Sequence, residues 1–259
     1  MTEIQPIYGI PALRVDNNLV IADLHIGVES HLMSKGFHLT SRTQDMFDTI
    51  TEASEGCNRL IVLGDVKNSV PGSSKQEYRE IPDFFCGLRE LFDDVIIVRG
   101  NHDTNIEEFL PPEIKLAPAT GIRIGDVGFV HGHTWPSTDT MKCKTLIMAH
   151  NHPAMTFVDG VGKQTTEPCW LRGKFISGGE KYPEYPESFI VVPAFNRILG
   201  GSAVNTIDGD FLGPLMKEEF IDLDNSEIFL LDGIFLGKRS DNMVKCRRSP
   251  FGKRNTDNQ

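Results

Sequence analysis

No stretch of the 259-residue chain holds the run of about 18 apolar residues that a membrane-crossing helix requires. Its start, MTEIQPIYGI, has an acidic residue and a proline where a secretory leader would carry basic residues and then an apolar stretch, so a cytoplasmic protein is expected. Cysteine is scarce: Cys57, Cys86, Cys143, Cys169 and Cys246 are odd in number, widely spaced and free of any CxxC pair. That argues against a disulfide framework and against a thiolate zinc site, and the five read as reduced, mostly buried thiols. There is no internal repeat and no linker long enough to separate independent domains. A chain of this length buries roughly three quarters of its unfolded surface in one core. Metal is therefore not needed merely to hold the fold, and any metal site would serve chemistry.

Positive charge is also short. Lys and Arg number 26 against 36 Asp and Glu, a net charge of −10 that disfavours a protein whose whole surface binds nucleic acid. The deficit is uneven. From Lys238 onward there are seven basic and two acidic residues, a local +5 that leaves −15 on residues 1–237. With no apolar periodicity there, residues 238–259 are expected to form a flexible basic tail behind a single domain of residues 1–237.

What is present is a repeated local pattern. Leu19–Ala22, Leu60–Leu63 and Val95–Val98 are short apolar runs rich in β-branched residues, each ending abruptly in polar ones. Such continuous runs suit strands buried on both faces. Met46, Phe47, Ile50, Ala53 and Cys57 lie at helical spacing between the first two, with Ser41 as a cap. A second helix is predicted over 76–92, its start limited by Pro82. Beyond residue 115 the chain reads as strands: a hairpin over 121–130 about Gly125-Asp126, then 145–149, 154–158, 170–176, 189–193, 227–231 and 234–236. Strand and helix in alternation followed by many strands predicts an α/β fold of two packed sheets with helices outside.

Six of the eight histidines follow apolar runs: His25, His102, His131, His133, His150 and His152. Asp23 and His25 lie two apart, as do His150 and His152, so on an extended backbone each pair projects to one face. Asp65 and Asn101 stand at the ends of other strands. Together these groups can converge at the carboxyl edge of a sheet, where open α/β folds bind ligands. The mixture of carboxylate, amide oxygen and imidazole favours manganese, iron or zinc over calcium and over structural zinc.

In order, Asp23-Leu24-His25, Gly64-Asp65-Val66-Lys67-Asn68, Gly100-Asn101-His102-Asp103, His131-Gly132-His133 and His150-Asn151-His152 resemble the five motifs of calcineurin-like metallophosphoesterases. Lys67 and the segment Val192-Pro193-Ala194-Phe195-Asn196 to Gly200-Gly201 are similar to a narrower group, the SbcD-related phosphoesterases associated with helicases. The resemblance implies a four-layer α/β/β/α sandwich of two mixed sheets flanked by helices. It also implies two divalent ions, Mn²⁺ first, with Fe, Zn, Ni or Mg as alternatives, bridged by Asp65. One ion would take Asp23, His25 and His152, and the other Asn101, His131 and His150. Both His131 and His133 are candidates for the fourth-motif ligand, and the family favours the first.

Two such cations can bind phosphate oxygens and lower the pKa of a bridging water, so that the resulting hydroxide attacks in line. His102 is the expected uncoordinated catalytic residue, with Asp103 either its partner or merely a turn cap. Lys67, Asn68, Arg99 and His133 are expected near substrate. The expected function is phosphodiester hydrolysis of nuclease type on single- or double-stranded DNA or RNA, with a helicase partner implied by the resemblance and no membrane. Alternatives are hydrolysis of small nucleotide mono- or diesters, and, last, a non-catalytic metal-holding scaffold.

Overall fold

The computed structural model describes residues 2–244 apart from Asp208, Asp210 and Glu218. Six strands form the first sheet in chain order: β1 (Ile4–Pro6), β2 (Leu13–Val15), β3 (Asn18–Ile21), β4 (Arg59–Val62), β5 (Asp94–Val98) and β6 (Lys115–Ala117). β1, β2 and β3 are antiparallel neighbours, whereas β3 to β6 run parallel. Alternation along these strands sorts their side chains between two cores. Leu19, Ile21, Leu60, Val62, Val95 and Ile97 face the helices. Val20, Ala22, Ile61, Leu63 and Val98 face the second sheet. Burial on both sides is why these strands read as unbroken apolar runs.

The second sheet holds β7 (Ile122–Ile124), β8 (Val127–Phe129), β9 (Thr145–Met148), β10 (Pro153–Val158), β11 (Gln164–Lys174), β12 (Ser188–Val191), β13 (Ser202–Ala203), β14 (Glu227–Leu230) and β15 (Phe235–Lys238). Its main path is β13-β10-β11-β12-β9-β8-β7, with β14 and β15 added beside β11. β8, β9 and β12 are parallel and most other pairs antiparallel, so this sheet is mixed too. Trp170, placed in sequence beside Arg172 and Lys174, is buried between the sheets.

Among the described residues the helices are α1 (Val28–Ser34), α2 (Thr43–Ala53), α3 (Lys75–Leu91) and α4 (Thr138–Met141). α2 and α3 cover the first sheet through Met46, Ile50, Ile81, Phe85 and Leu88. The two mixed sheets flanked by helices are therefore present, but the outer layer on the second sheet is thin in helix. There α4 is joined by irregular chain, with Tyr182, Leu215, Met216, Phe220 and Ile221 packing onto Leu146, Leu171 and Phe189. α2 starts one residue later than a Ser41 cap would give, with Arg42 at the cap position. α3 begins at Lys75, ahead of Pro82, with Ser74 and Glu77 forming a capping box at its start, and Pro82 lies inside it.

The segment expected to be a tail, residues 238–259, is described only as far as Val244. Lys238 closes β15, Arg239–Asn242 form a 3₁₀ turn, and the Val244 amide donates to the Asn205 carbonyl at 2.8 Å. Arg239 is buried and donates to the Val204 carbonyl and to Asp224, each at 2.7 Å. The remainder of that segment, residues 245–259, lies outside the described residues. Cys57, Cys86, Cys143 and Cys169 are free thiols, the last two buried and Cys86 exposed. No helix among the described residues is long and apolar enough to cross a membrane.

Candidate metal centre

Five strands aim their carboxyl ends at one place. Asp23 and His25 follow β3, Asp65 follows β4, Asn101 and His102 follow β5, His131 follows β8, and His150 and His152 follow β9. Three sets of potential ligand atoms lie within 4.8 Å of one another: Asp23, His25 and His152; His25, Asp65 and His102; and Asp65, His131 and His150. His25 and Asp65 each belong to two sets, so the groups form one continuous cluster.

The two-residue spacings do not act through an extended backbone, as the sequence had suggested. Asp23 (φ 56°), His25 (40°), Asp65 (51°), His150 (69°) and His152 (41°) all have left-handed backbones. Each strand stops before its ligands, and the chain then curls so that alternate side chains turn inward. Asp and His tolerate this conformation far better than bulky or β-branched residues do. Two glycines let the curled loops meet. A Cβ on Gly64 would lie 2.7 Å from Gly100 Cα and 2.8 Å from His131 Nδ1, and one on Gly100 would overlap the Asp65 carboxylate.

His131 is fully buried, and its Nδ1–H donates to the Leu63 carbonyl at 2.8 Å. That bond turns Nε2 toward His150 Nδ1 at 3.0 Å, Asn101 Oδ1 at 3.1 Å and Asp65 Oδ2 at 3.4 Å. Asn101 itself is exposed. His133 is set apart by Gly132, its ring centre 5.2 Å from that of His131, and it belongs to none of the three sets. Its Nδ1 is buried without a partner.

His102 is tied to the loop after β4 by two bonds. Its amide donates to Asp65 Oδ1 at 2.9 Å, and its Nδ1 donates to the Asn68 carbonyl at 2.7 Å. Nε2 is the nitrogen left for chemistry. Asp103 is placed as the capping reading expects. It is fully buried, and its oxygens accept from the amides of Asp65 (2.9 Å), Val66 (2.8 Å) and Gly100 (2.8 Å). An acceptor so occupied holds two ligand-bearing turns together.

Two cations expected near phosphate are committed elsewhere. Lys67 is 1% exposed, with Nζ donating to the carbonyls of Ser69 (3.0 Å) and Gly72 (2.6 Å). Arg99 donates to the Asp103 carbonyl at 3.0 Å and pairs with Glu107 at 3.1 Å. Asn68 contributes its backbone to His102. Trp135 packs against Phe220, with ring centres 5.6 Å apart, and closes its loop.

Burial opposes charge throughout the cluster, and neighbours decide where charge survives. Burial brings His25 and His150 down to about 4. At His131 it is outweighed by the hydrogen bond to Asp65 and the charges of Asp23 and Asp65, which push the pKa up to about 9. His152 is raised because Asp23, 3.3 Å away, overrides burial. Against its own burial, His131 and His25 hold Asp65 well below the usual carboxylate range.

The residues fit divalent cations. Both carboxylate oxygens of Asp23 and both ring nitrogens of His25 are buried without a hydrogen-bond partner. Buried polar atoms left unpaired are costly, and a cation among them would satisfy oxygen and nitrogen together. Reading residue types missed three supports. Glu77 holds the loop after β4, Asn196 donates to the Leu24 carbonyl at 2.9 Å, and Asn151 exchanges hydrogen bonds with Leu212 at 3.1 and 2.7 Å. The Ser74-x-x-Glu77 capping signature could have exposed the first.

A family model described as calcineurin-like phosphoesterase matches residues 18–184. The crystal structure of Pseudomonas putida nuclease MPE is similar to this one at 18% identity and a TM-score of 0.51, covering 88% of this chain and 96% of that chain. Yfce, a phosphoesterase from E. coli, aligns at 15% identity and a TM-score of 0.39, covering 85% of this chain and 97% of that chain. No curated protein matches the sequence.

Proposed function

The chain belongs to the calcineurin-like phosphoesterase family, a metal-dependent phosphoester hydrolase by that membership, and from this premise we propose that it cleaves phosphodiester bonds in nucleic acid. The observation that carries the chemistry is the sealed, unpartnered set of Asp23 and His25 beside Asp65. We assign one divalent ion to Asp23, His25 and His152 and a second to Asn101, His131 and His150, with Asp65 between them. Manganese is the first choice. The aim of His131 Nε2, fixed by Leu63, supports His131 over His133 as ligand. Ions bound there supply Lewis acidity toward phosphate oxygens and activate water.

The chain's own residues do the rest. Gly64 and Gly100 let the loops close to contact, and Asp103 locks them. His102, held by Asn68, turns Nε2 toward substrate and hands a proton to the leaving oxygen. The Pseudomonas putida neighbour, described as a nuclease, directs the substrate reading to nucleic acid. Small phosphoesters are the second reading, favoured by the engagement of Lys67 and Arg99 in internal bonds. The resemblance to the SbcD-related group adds a helicase partner to the proposal, tested by co-purification.

Manganese-supplemented protein should be incubated with single-stranded DNA, RNA, duplexes and nitrophenyl mono- and diesters. Cleavage of polynucleotide supports the first reading, and turnover of small esters alone supports the second. No turnover of any phosphoester with any divalent metal would sink both.

A further inference from the structure

Glu77 sits at the third position of α3, where its capping-box role would account for it fully. Its carboxylate does more. Glu77 is 0% exposed, and Oε1 accepts from the amides of Asn68 (2.8 Å) and Ser69 (2.7 Å), while Oε2 accepts from Ser74. Lys67 grips the same loop through the Ser69 and Gly72 carbonyls. A Cβ on Gly27 would come within 2.7 Å of Glu77 Cγ, so the turn after His25 also boxes this side chain in.

The Ser69 amide and the Asn68 carbonyl are the two ends of one peptide group. Glu77 binds the N–H end, and the oxygen at the other end accepts from His102 Nδ1 at 2.7 Å. A carboxylate, a peptide and an imidazole are thus connected in series, and hydrogen bonds in such a chain polarise one another. A carbonyl oxygen can only accept, so the Nδ1 proton is fixed and Nε2 is the nitrogen left free.

Resting on the reading of His102 as the proton donor, we infer that Glu77 is a positioning residue that acts on His102 through the Asn68–Ser69 peptide. The imidazolium gives its Nε2 proton to the leaving oxygen as the P–O bond breaks, and the neutral ring regains a proton from water. Nδ1 keeps its proton throughout. Glu77, remote in sequence and screened by a peptide unit, holds in place the peptide whose carbonyl sets the tautomer and the aim.

The test is a double-mutant cycle with a nitrophenyl diester. In metal-loaded protein, Glu77→Gln should lower kcat by roughly ten- to a hundredfold, part of the roughly hundred- to ten-thousandfold a positioned general acid contributes, with KM and metal content unchanged. In a His102→Ala background the same substitution should lower kcat no further. Glu80→Gln, on the same helix, should leave kcat unaltered. Equal losses in both backgrounds would overturn the inference. Nitrogen-15 NMR of the zinc-loaded, diamagnetic protein at alkaline pH gives a readout independent of turnover and of the variant's folding. A His102 with protonated Nδ1 in the wild-type chain supports the relay, and one with protonated Nε2 overturns it. If the wild-type protein hydrolyses no phosphoester, the proposed function fails, while the His102 ring-nitrogen shifts of Glu77→Gln compared with wild type still decide the role of Glu77: a change supports it and no change overturns it.

Discussion

The side chain of Asp103 accepts a hydrogen bond from the backbone amide of Asp65 at 2.9 Å. One acidic residue thereby fixes the main chain of another, and the amides of Val66 and Gly100 complete the clasp. Asp103→Asn would set an amide donor against a buried N–H, and the cost of such a mismatch is about 1–3 kcal/mol. Thermal and denaturant unfolding should show that loss, with activity falling in step with metal content. Unchanged stability with a collapse in kcat would return Asp103 to a chemical role.

Asp65 occupies the centre of the cluster, in reach of His25 at 3.5 Å and His131 at 3.4 Å. Asp65→Asn keeps its volume and removes its charge. Elemental analysis should find less metal per chain, while circular dichroism still reports the native fold. Metal retained at the wild-type level would remove Asp65 from the bridging position.

Metal uptake should be coupled to proton release. In the metal-free cluster His131 titrates at about 9, and an imidazole must lose the proton from its ligating nitrogen before it can bind metal. Affinity should therefore climb with pH, by up to about tenfold per unit for each proton displaced, and level off above the His131 pKa. Below about 4, protonation of His25 and His150 should steepen the fall. Calorimetric titration in buffers of different ionisation heat counts the protons. A pH-independent affinity across the neutral range would contradict the assignment of His131.

His102 should separate binding from turnover. His102→Ala should retain the metal content of the wild-type protein and lose activity by roughly 10²–10⁴-fold, the span typical of a lost general acid. Loss of metal on this substitution would make His102 a ligand.

The strands that carry the site were legible because burial on both faces writes itself as continuous apolar runs, as in Leu60–Leu63. β1, β2 and β6 were not: each is three residues long and, unlike the equally short β7 and β8, is not joined to a neighbour by a two-residue Gly-Asp turn. α1 was missed because it buries only Val28 and Glu29 and so shows no apolar stripe. The histidines and aspartates of the cluster were legible from their chemistry alone. Lys67 and the reach of Glu77 to the loop after β4 were not, since their partners are mainly backbone groups, which every residue type shares. A carbonyl that accepts from Lys67 leaves no mark on the identity of Gly72.

The curled backbone at Asp23, His25, Asp65, His150 and His152 bears on how this protein would decay. Left-handed φ at a non-glycine residue is held against a cost of order 1–3 kcal/mol. Glycine escapes most of that cost. A chain released from holding metal would gain stability by drifting to glycine at these five places, so abandoned centres of this design should be recognisable by the glycines that replace their ligands. This chain carries none there.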